Sequence, residues 1–436
     1  MATHSHDGSC FYLFLLKYLC DTLELRFLGG AGEVGRSAIL LKDEVNILMD
    51  YGIKLEGKAQ FPLLPKKVDA LVLSHAHLDH SGYAPALYKR GMPMAFGTEP
   101  TYKLAELLIE DSIKVNMKKH ERLGFGKKDM RTFLNSYSMR SYGEGIDFRE
   151  HTITLHNAGH IAGSAITLIE NKEGRRVAYT GDFKLSKQTL HHGAEIIDCD
   201  VLITESTYAT REHPDRDALI AQFINNIKEV TENGGTALIP VFAVGRAQEV
   251  LAILNKHGLM DHTYIDGMAL KATNIVMSTP EFLNNPKLLS DAVSKAQKIT
   301  KANDRGRALY GGSIIVTTAG MLSGGPVLDY ITKLNNKSMI FLTGYQAENT
   351  NGRRLLENKP LIIDDKSIFI KTPFAFYDLS AHAGQEDLHD YVKRANPETV
   401  VCVHGDEEST SAFKEWLQGE GYEAYAPKMG EEITIK

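Results

Sequence analysis

The run His75-Ala-His77-Leu-Asp79-His80 puts three histidines and an aspartate within six residues, directly after the apolar stretch 68–74. A lone histidine on an apolar face is ordinarily a satisfied core residue. Imidazoles and carboxylates packed this densely at the end of a buried strand repel one another or stay unpaired unless a divalent cation holds them. Alternation at the strand end points His75 and His77 the same way, and the turn that follows sets Asp79 and His80 around a second position. Three more residues stand at predicted strand ends. His160 lies in Asn-Ala-Gly-His-Ile-Ala-Gly-Ser, whose small neighbours let the backbone approach a ligand. Asp182 follows Tyr179-Thr-Gly, where it could bridge two ions, and His404 closes the run 399–403. Each of these alone reads equally well as a structural residue. Together with the first cluster they supply seven donors, enough for two ions. Asp50, after Ile47-Leu-Met, is better placed behind the cluster, orienting a histidine or the loop.

The elements that must position these groups follow from periodicity. Strands are predicted over 23–28, 38–42, 45–49, 68–74, 153–155, 164–169, 176–180 and 201–204. Leu104, Leu107, Leu108 and Ile113 fall on one side of a helix over 99–119. Beyond Tyr208 strands alternate with helices or polar loops: 236–241 with 243–254, 313–317 with 325–334, and 338–343 before Gly-Tyr-Gln-Ala-Glu-Asn-Thr-Asn-Gly-Arg-Arg. That is the rhythm of a parallel α/β sheet. From Ser380 the strand-and-histidine pattern returns, so an α/β unit interrupts a strand-rich one. Gly30-Ala-Gly-Glu-Val-Gly35 matches the dinucleotide fingerprint, but a β-type run follows it where a helix is required, which predicts a tight hairpin.

At 436 residues the chain is long enough for two cores. Its net charge of −6 excludes a passive polycationic coat, so nucleic acid would be met by a local basic patch or by bound cations. Cys10, Cys20, Cys199 and Cys402 show no CxxC spacing, which argues against a disulfide framework or a cysteine zinc site and for a reducing cytoplasm. The apolar run 11–19, broken by Lys17, is short of the roughly 20 residues a membrane span needs. It also lacks the flanks of a signal peptide. Residues 1–20 are set apart as an N-terminal extension.

The HxHxDH run with its later histidine and aspartate resembles the metallo-β-lactamase superfamily over nearly all of 23–436. Three features narrow the likeness: Glu205 in Thr-Glu-Ser-Thr-Tyr, His382 in Ser-Ala-His-Ala-Gly and His404 in Val-His-Gly are similar to the extra motifs of the β-CASP group. That group is the nucleic-acid-cutting branch with an inserted α/β domain. Gly-Arg-Ser-Ala, Ala-Val-Gly-Arg-Ala-Gln and Gly-Met-Leu-Ser-Gly-Gly-Pro look most like cleavage-and-polyadenylation-specificity-factor-type ribonucleases, in the short archaeal form without a KH domain. DNA-repair members carry valine at the position of His404, so the resemblance implies RNA.

The resemblance implies an α/β fold: a metallo-β-lactamase αββα sandwich from 21–207 and 379–436, with a β-CASP domain over 208–378. It implies two zinc ions per chain, one on His75, His77 and His160, the other on Asp79, His80 and His404, with Asp182 bridging. Such ions activate a shared water and offset charge on phosphoryl oxygens. Asp79, Asp182, Glu205 and His382 form the implied catalytic set. His382 is the candidate general acid for the leaving ribose oxygen, and Glu205 keeps its imidazole oriented and protonated. A purely structural His382 is the alternative. It predicts lost stability on substitution, where catalysis predicts lost turnover with metal retained.

Substrate would run between the domains, past Arg246, Ser323, Gly324, Tyr345, Gln346 and Arg353 at carboxyl ends of the inserted strands, where α/β sheets take anions. The stretch 114–140, with nine Lys, Arg or His residues against two acids, is a second candidate surface or a solvated helix face. Rival readings are another hydrolase of this fold, a non-catalytic RNA-binding subunit, and a one-metal structural or redox protein. The inserted domain weighs against the first and the complete donor set against the second, while a two-metal stoichiometry would exclude the third. RNA is the expected partner, without a membrane. Family analogy implies a homodimer and a place in an RNA-processing complex. Internal and 5′-end cutting both remain open.

Overall fold

Alternation in β1 (Leu23–Gly29) buries Leu23, Leu25 and Phe27 and leaves Glu24 and Arg26 half-exposed. It pairs with β2 (Ala38–Lys42) and with β22 (Glu432–Ile435), both antiparallel. With β3 (Asn46–Met49), β4 (Ala70–Val72), β5 (Met94–Thr98) and β6 (Tyr137–Arg140) they form a seven-stranded sheet in the order β22-β1-β2-β3-β4-β5-β6. A second seven-stranded sheet takes β7 (Gly145–Phe148), β8 (His151–Asn157), β9 (Ala165–Asn171), β10 (Arg176–Tyr179), β11 (Val201–Glu205), β20 (Thr399–Val403) and β21 (Glu423–Tyr425), in the order β21-β20-β11-β10-β9-β8-β7. The computed structural model describes residues 23–55 and 58–435. The extension 1–20, with its apolar run, Cys10 and Cys20, lies outside the described residues.

The two sheets share one core, with Phe27, Ile39 and Val72 from the first meeting Ile153, Val177 and Val401 from the second. The outer face of the first is covered by the helices Glu99–Lys118 and Lys127–Asn135 through Leu104, Ile109 and Phe133. Helices Gln385–Ala395 and Glu407–Gly419 cover the second through Leu388, Tyr391 and Phe413. The result is an αββα sandwich, and the expected fold class holds. Cys199 and Cys402 are buried free thiols, each pushed up to about 12 chiefly by burial.

Between β11 and β20 the chain builds a third sheet in which every pairing is parallel: β12 (Thr236–Pro240), β13 (Thr263–Asp266), β14 (Gln297–Ile299), β15 (Ser313–Thr317), β16 (Met339–Leu342) and β19 (Phe374–Phe376), in the order β14-β13-β15-β12-β16-β19. β17 (Leu361–Ile363) and β18 (Lys366–Ile368) make a separate hairpin. Continuous burial of β12 and β15 explains their unbroken apolar runs. The inserted unit docks through the helix Arg246–Lys256, whose buried Glu249 accepts hydrogen bonds from the Thr189 and Leu190 amides at 2.7 and 3.0 Å and from Arg216 at 2.6 Å.

Several predicted bounds shift for physical reasons. The strand over 68–74 ends at Val72, because the Ser74 amide leaves the ladder to donate to Asp50 Oδ1 at 2.7 Å. The helix over 243–254 begins at Arg246, after Gly245 with φ of 84°. That over 325–334 shrinks to Val327–Ile331. The glycine motif is a turn between antiparallel strands, with φ of 71° at Gly30 and 68° at Gly32, as its β-type continuation predicts. Its Gly30 carbonyl accepts the His404 amide at 2.6 Å. No helix among the described residues is long and apolar enough to cross a membrane.

Candidate metal centre

The residues singled out in sequence gather where strands of both sheets end. β3 delivers Asp50, β4 leads to His75–His80, β8 to His160, β10 to Asp182, β11 ends on Glu205, and β20 leads to His404. The approach is close enough that a Cβ on Gly181, whose φ is 54°, would sit 2.6 Å from the Ser74 Cβ. Three donor groups result: His75, His77, His160 and Asp182; Asp79, His80 and His404; and Asp182, Glu205 and His382, each with donor atoms within 4.8 Å of one another.

Hydrogen bonds fix which imidazole nitrogens face inward. Ser74 Oγ donates to Asp50 Oδ2 at 2.6 Å, so it accepts from His75 Nδ1 at 3.1 Å and leaves His75 Nε2 unprotonated. His160 Nδ1 donates to the Ala381 carbonyl at 2.9 Å, leaving Nε2 bare. His77 turns Nε2 to the Val244 carbonyl at 3.4 Å, leaving Nδ1 bare. The bare His77 Nδ1 lies 3.1 Å from His75 Nε2 and 3.2 Å from His160 Nε2. Three lone pairs thus converge with no hydrogen to share, an arrangement that a cation satisfies and nothing else nearby does. Burial holds the pKa values of all three below the ordinary range, which keeps them neutral, as metal ligands must be.

The second group is built around Asp50. This fully buried carboxylate accepts from the Ser74 amide and hydroxyl, from Tyr179 OH at 2.8 Å and from His80 Nδ1 at 2.7 Å. His80 Nε2 is thereby aimed inward, where it, His404 Nε2 and Asp182 Oδ1 have no hydrogen-bond partner despite burial. Burial opposes charge on His80, but Asp182, Asp79 and Asp50 outweigh it and raise its pKa well above the usual value. The pocket favours positive charge. Asp79 and Asp182 are held as carboxylates against the cost of burial, chiefly by His80 and His404 respectively.

Asp182 faces both groups. Its Oδ2 lies 3.5 Å from His75 Nε2 and 3.8 Å from His160 Nε2, while Oδ1 lies 3.2 Å from His80 Nε2 and 3.2 Å from His404 Nδ1. Alongside, His382 Nδ1 sits 3.0 Å from Glu205 Oε2, and the Phe183 amide holds Oε1 at 2.8 Å. Burial works against a charged His382, yet Glu205 and Asp182 lift its pKa to about 9.

The predicted substrate residues are less uniform. Arg246 lies two residues after Val244, whose carbonyl meets His77; its Nε and Nη1 are buried without partners, and burial with neighbouring Arg216 pushes its pKa down to about 10. Ser323 is exposed and turns its hydroxyl back onto the Met321 carbonyl. Nothing approaches a Cβ built on Gly324, and Tyr345 is half exposed. Arg353 is engaged by Glu357 at 2.7 Å. Gln346 needs correction as a contact residue: it is buried, and its amide donates to the Gly320 and Gly344 carbonyls at 3.1 and 2.8 Å, so it shapes the turn from within. Sequence reading missed Ser74, Tyr179 and the Val244 carbonyl. Only the placement of Ser74 beside His75 hinted at any of them.

Sandwich, inserted sheet and donor cluster together define a metallo-hydrolase that carries a second, α/β unit. Residues 39–209 match the metallo-beta-lactamase superfamily domain, 247–355 the Beta-Casp domain, and 369–427 the Zn-dependent metallo-hydrolase RNA specificity domain. A probable RNase from Methanocaldococcus jannaschii is 38% identical over 95% of this chain and 100% of its own length. RNase aCSPSF2 of Saccharolobus solfataricus is 37% identical over 94% of this chain and 85% of its own. Transcription termination factor FttA of Methanothermobacter thermautotrophicus is 35% identical over 90% of this chain and 69% of its own. The chain belongs to the β-CASP family of metallo-β-lactamase ribonucleases. The fold is shared with a solved protein of unknown function from Enterococcus faecalis, at a TM-score of 0.63 and 16% identity over 95% of this chain and 100% of that one.

Proposed function

We infer that the protein is a zinc-dependent ribonuclease that hydrolyses RNA phosphodiester bonds with two metal ions. The observation that carries this reading is Asp182, one carboxylate with an oxygen turned to each donor group. His75, His77 and His160 would hold one zinc, and Asp79, His80 and His404 the other. Two ions there supply positive charge against the phosphoryl oxygens and lower the pKa of water. The remaining work belongs to the chain. Asp50 orients His80, and the Ala381 carbonyl orients His160. As the bond from phosphorus to the leaving ribose oxygen breaks, His382 delivers its proton to that oxygen, and Glu205 stabilises the imidazolium beforehand. Arg246, with two donor atoms lacking partners, binds a phosphate next to the one being cut.

On this reading the sandwich spans 21–207 and 379–436, and the unit over 208–378 closes over the RNA. Ser323, Gly324, Tyr345 and Arg353 line the approach. The setting is RNA processing, 3′-end formation or decay in the cytoplasm, by a homodimer. The test is one RNA labelled in turn at each end, beside matched DNA, a chelator control and Asp182→Ala. Chelator-sensitive internal fragments or 5′ mononucleotides from RNA alone support the reading. RNA binding without cleavage by metal-loaded protein would overturn it.

A further inference from the structure

The segments of chain that enter and leave the inserted unit meet next to His382, and His213 is among the residues that tie them together. His213, on the outgoing segment, places Nδ1 3.3 Å from Asp378 Oδ2 and Nε2 3.2 Å from the His382 carbonyl, both on the returning segment. Both partners are acceptors, so both contacts are hydrogen bonds when both ring nitrogens carry a proton. Asp378 is part-buried, and Arg211 pairs with the same oxygen. Tyr208 packs edge-on to His213 with centroids 4.9 Å apart and lies beneath the Arg211 guanidinium. Packing is tight: a Cβ on Gly384 would stand 2.9 Å from His213 Cδ2. At the start of the helix Gln385–Ala395, the Gln385 amide donates to the Arg211 carbonyl at 3.1 Å and the Glu386 amide to Glu212 Oε1 at 2.8 Å, which adds two further ties between the segments.

We propose that His213, held by Asp378, is a positioning residue for His382: it fixes the carbonyl of that residue and so the distance from its imidazole to the leaving oxygen. Two successive carbonyls of the loop are gripped from opposite sides, Ala381 by His160 of the donor cluster and His382 by His213. The His382 imidazole itself meets Glu205 Oε2 at 3.0 Å. The strap also joins proton delivery to the seating of the inserted unit, since any parting of the two segments pulls on the same carbonyl. The inference rests on His382 acting as the general acid.

The experiment compares two RNAs, one natural and one with sulfur replacing the leaving oxygen, which departs without needing a proton. Turnover is measured with saturating substrate for the wild-type chain, His382→Ala, His213→Ala, Asp378→Asn and the double variant His382→Ala/His213→Ala, with bound zinc assayed in each. His213→Ala is expected to lower kcat on natural RNA by about 10- to 100-fold, the usual scale for a supporting partner. It should keep its zinc and lose little on the sulfur substrate, and the double variant should be no slower than His382→Ala. His213→Gln, which keeps a donor for the carbonyl, should recover part of the rate. If His213→Ala fails to fold, Asp378→Asn carries the test. Equal losses on both substrates, or additive losses in the double variant, would reduce His213 to a structural tie and overturn the proposal. If His382→Ala itself shows no preference for sulfur, the acid assignment fails and this inference falls with it, while a leaving-group effect confined to His382→Ala defeats this inference alone.

Discussion

The donor cluster and the strand-end turns of the inserted sheet are built to opposite specifications. In the cluster, His75, His80, His160, Asp182 and His404 are almost completely buried, and hydrogen bonds behind the imidazoles aim their nitrogens before any ligand arrives. In the turns, Ser323 and Tyr345 are exposed, Gly324 has open space beside it, and Arg353 holds only a neighbour on its own helix. Preorganised charge is worth most where a transition state must be stabilised, because nothing reorganises during reaction. A flexible polymer of varied sequence is better met by groups that can adjust. On the proposed reading the molecule keeps its chemistry stiff and its recognition loose, and Arg246 stands between, with Nε and Nη1 buried and without a hydrogen-bond partner.

Five variants would break or sharpen that contrast. Asp182→Ala removes the group shared by both donor sets. It should lower RNA cleavage by on the order of 10³-fold or more and release zinc, read by turnover and metal assay. His382→Ala should cost about 10²- to 10⁴-fold in kcat while zinc stays bound. Its pH profile is the sharper check: Glu205 holds a proton on His382, so wild-type activity should fall at alkaline pH as that proton is lost. His382→Ala should lack that alkaline limb. Asp50→Asn, which loosens His80 from behind, should weaken metal affinity by about 10- to 100-fold, measured by chelator competition.

Arg246→Ala belongs to the boundary between the regions. It should raise KM for RNA by roughly tenfold, the scale of one charged hydrogen bond, with little change in kcat on saturating substrate. Uniform loss of kcat instead would move Arg246 into the rigid region. The smallest effect is expected on the surface formed by the helix Glu99–Lys118 and the loop and helix after it. There Lys118, Lys119, Lys127 and Lys128 lie outside the ion pairs that engage Lys103 and Lys114. Replacing all four by glutamate should weaken binding of long RNA a few-fold and flatten its salt dependence by up to about four units of log–log slope, while leaving short substrates unaffected. No change for any RNA length would assign that face to solvent alone.

The same contrast governs what could be read from the sequence. His75–His80 was legible because four donors crowd six positions, a density that core packing alone does not produce. Asp182 and His404 could be read as strand ends, and the parallel inserted sheet announced itself in unbroken β-branched runs. Beyond that, types of residue gave little warning. Ser74 and Tyr179 carry hydroxyls like dozens of others, and only their convergence on Asp50 gives them a role. The Val244 carbonyl on His77 belongs to the backbone and leaves no mark in composition. Asp378 and His213 lie 165 residues apart, brought together because the insert begins and ends at one place. Gln346 shows the converse, since its position at a strand end pointed to substrate while its amide turned inward to hold carbonyls. Position along a strand tells where a residue is, and for an uncharged amide it does not tell which way it faces.

The order of these parts along the chain has a consequence for the protein's own birth. A ribosome delivers His75, His77, Asp79 and His80 early, then the whole inserted sheet, and only afterwards His382 and His404. Until β20 and β21 arrive, the second sheet ends at β11, whose outer edge has no partner. A growing chain therefore carries most of the donor cluster, with His160, Asp182 and Glu205 also delivered before the insert, but lacks His382 and His404. Completion of the cluster thus waits on residues that arrive only after the whole inserted sheet has been made.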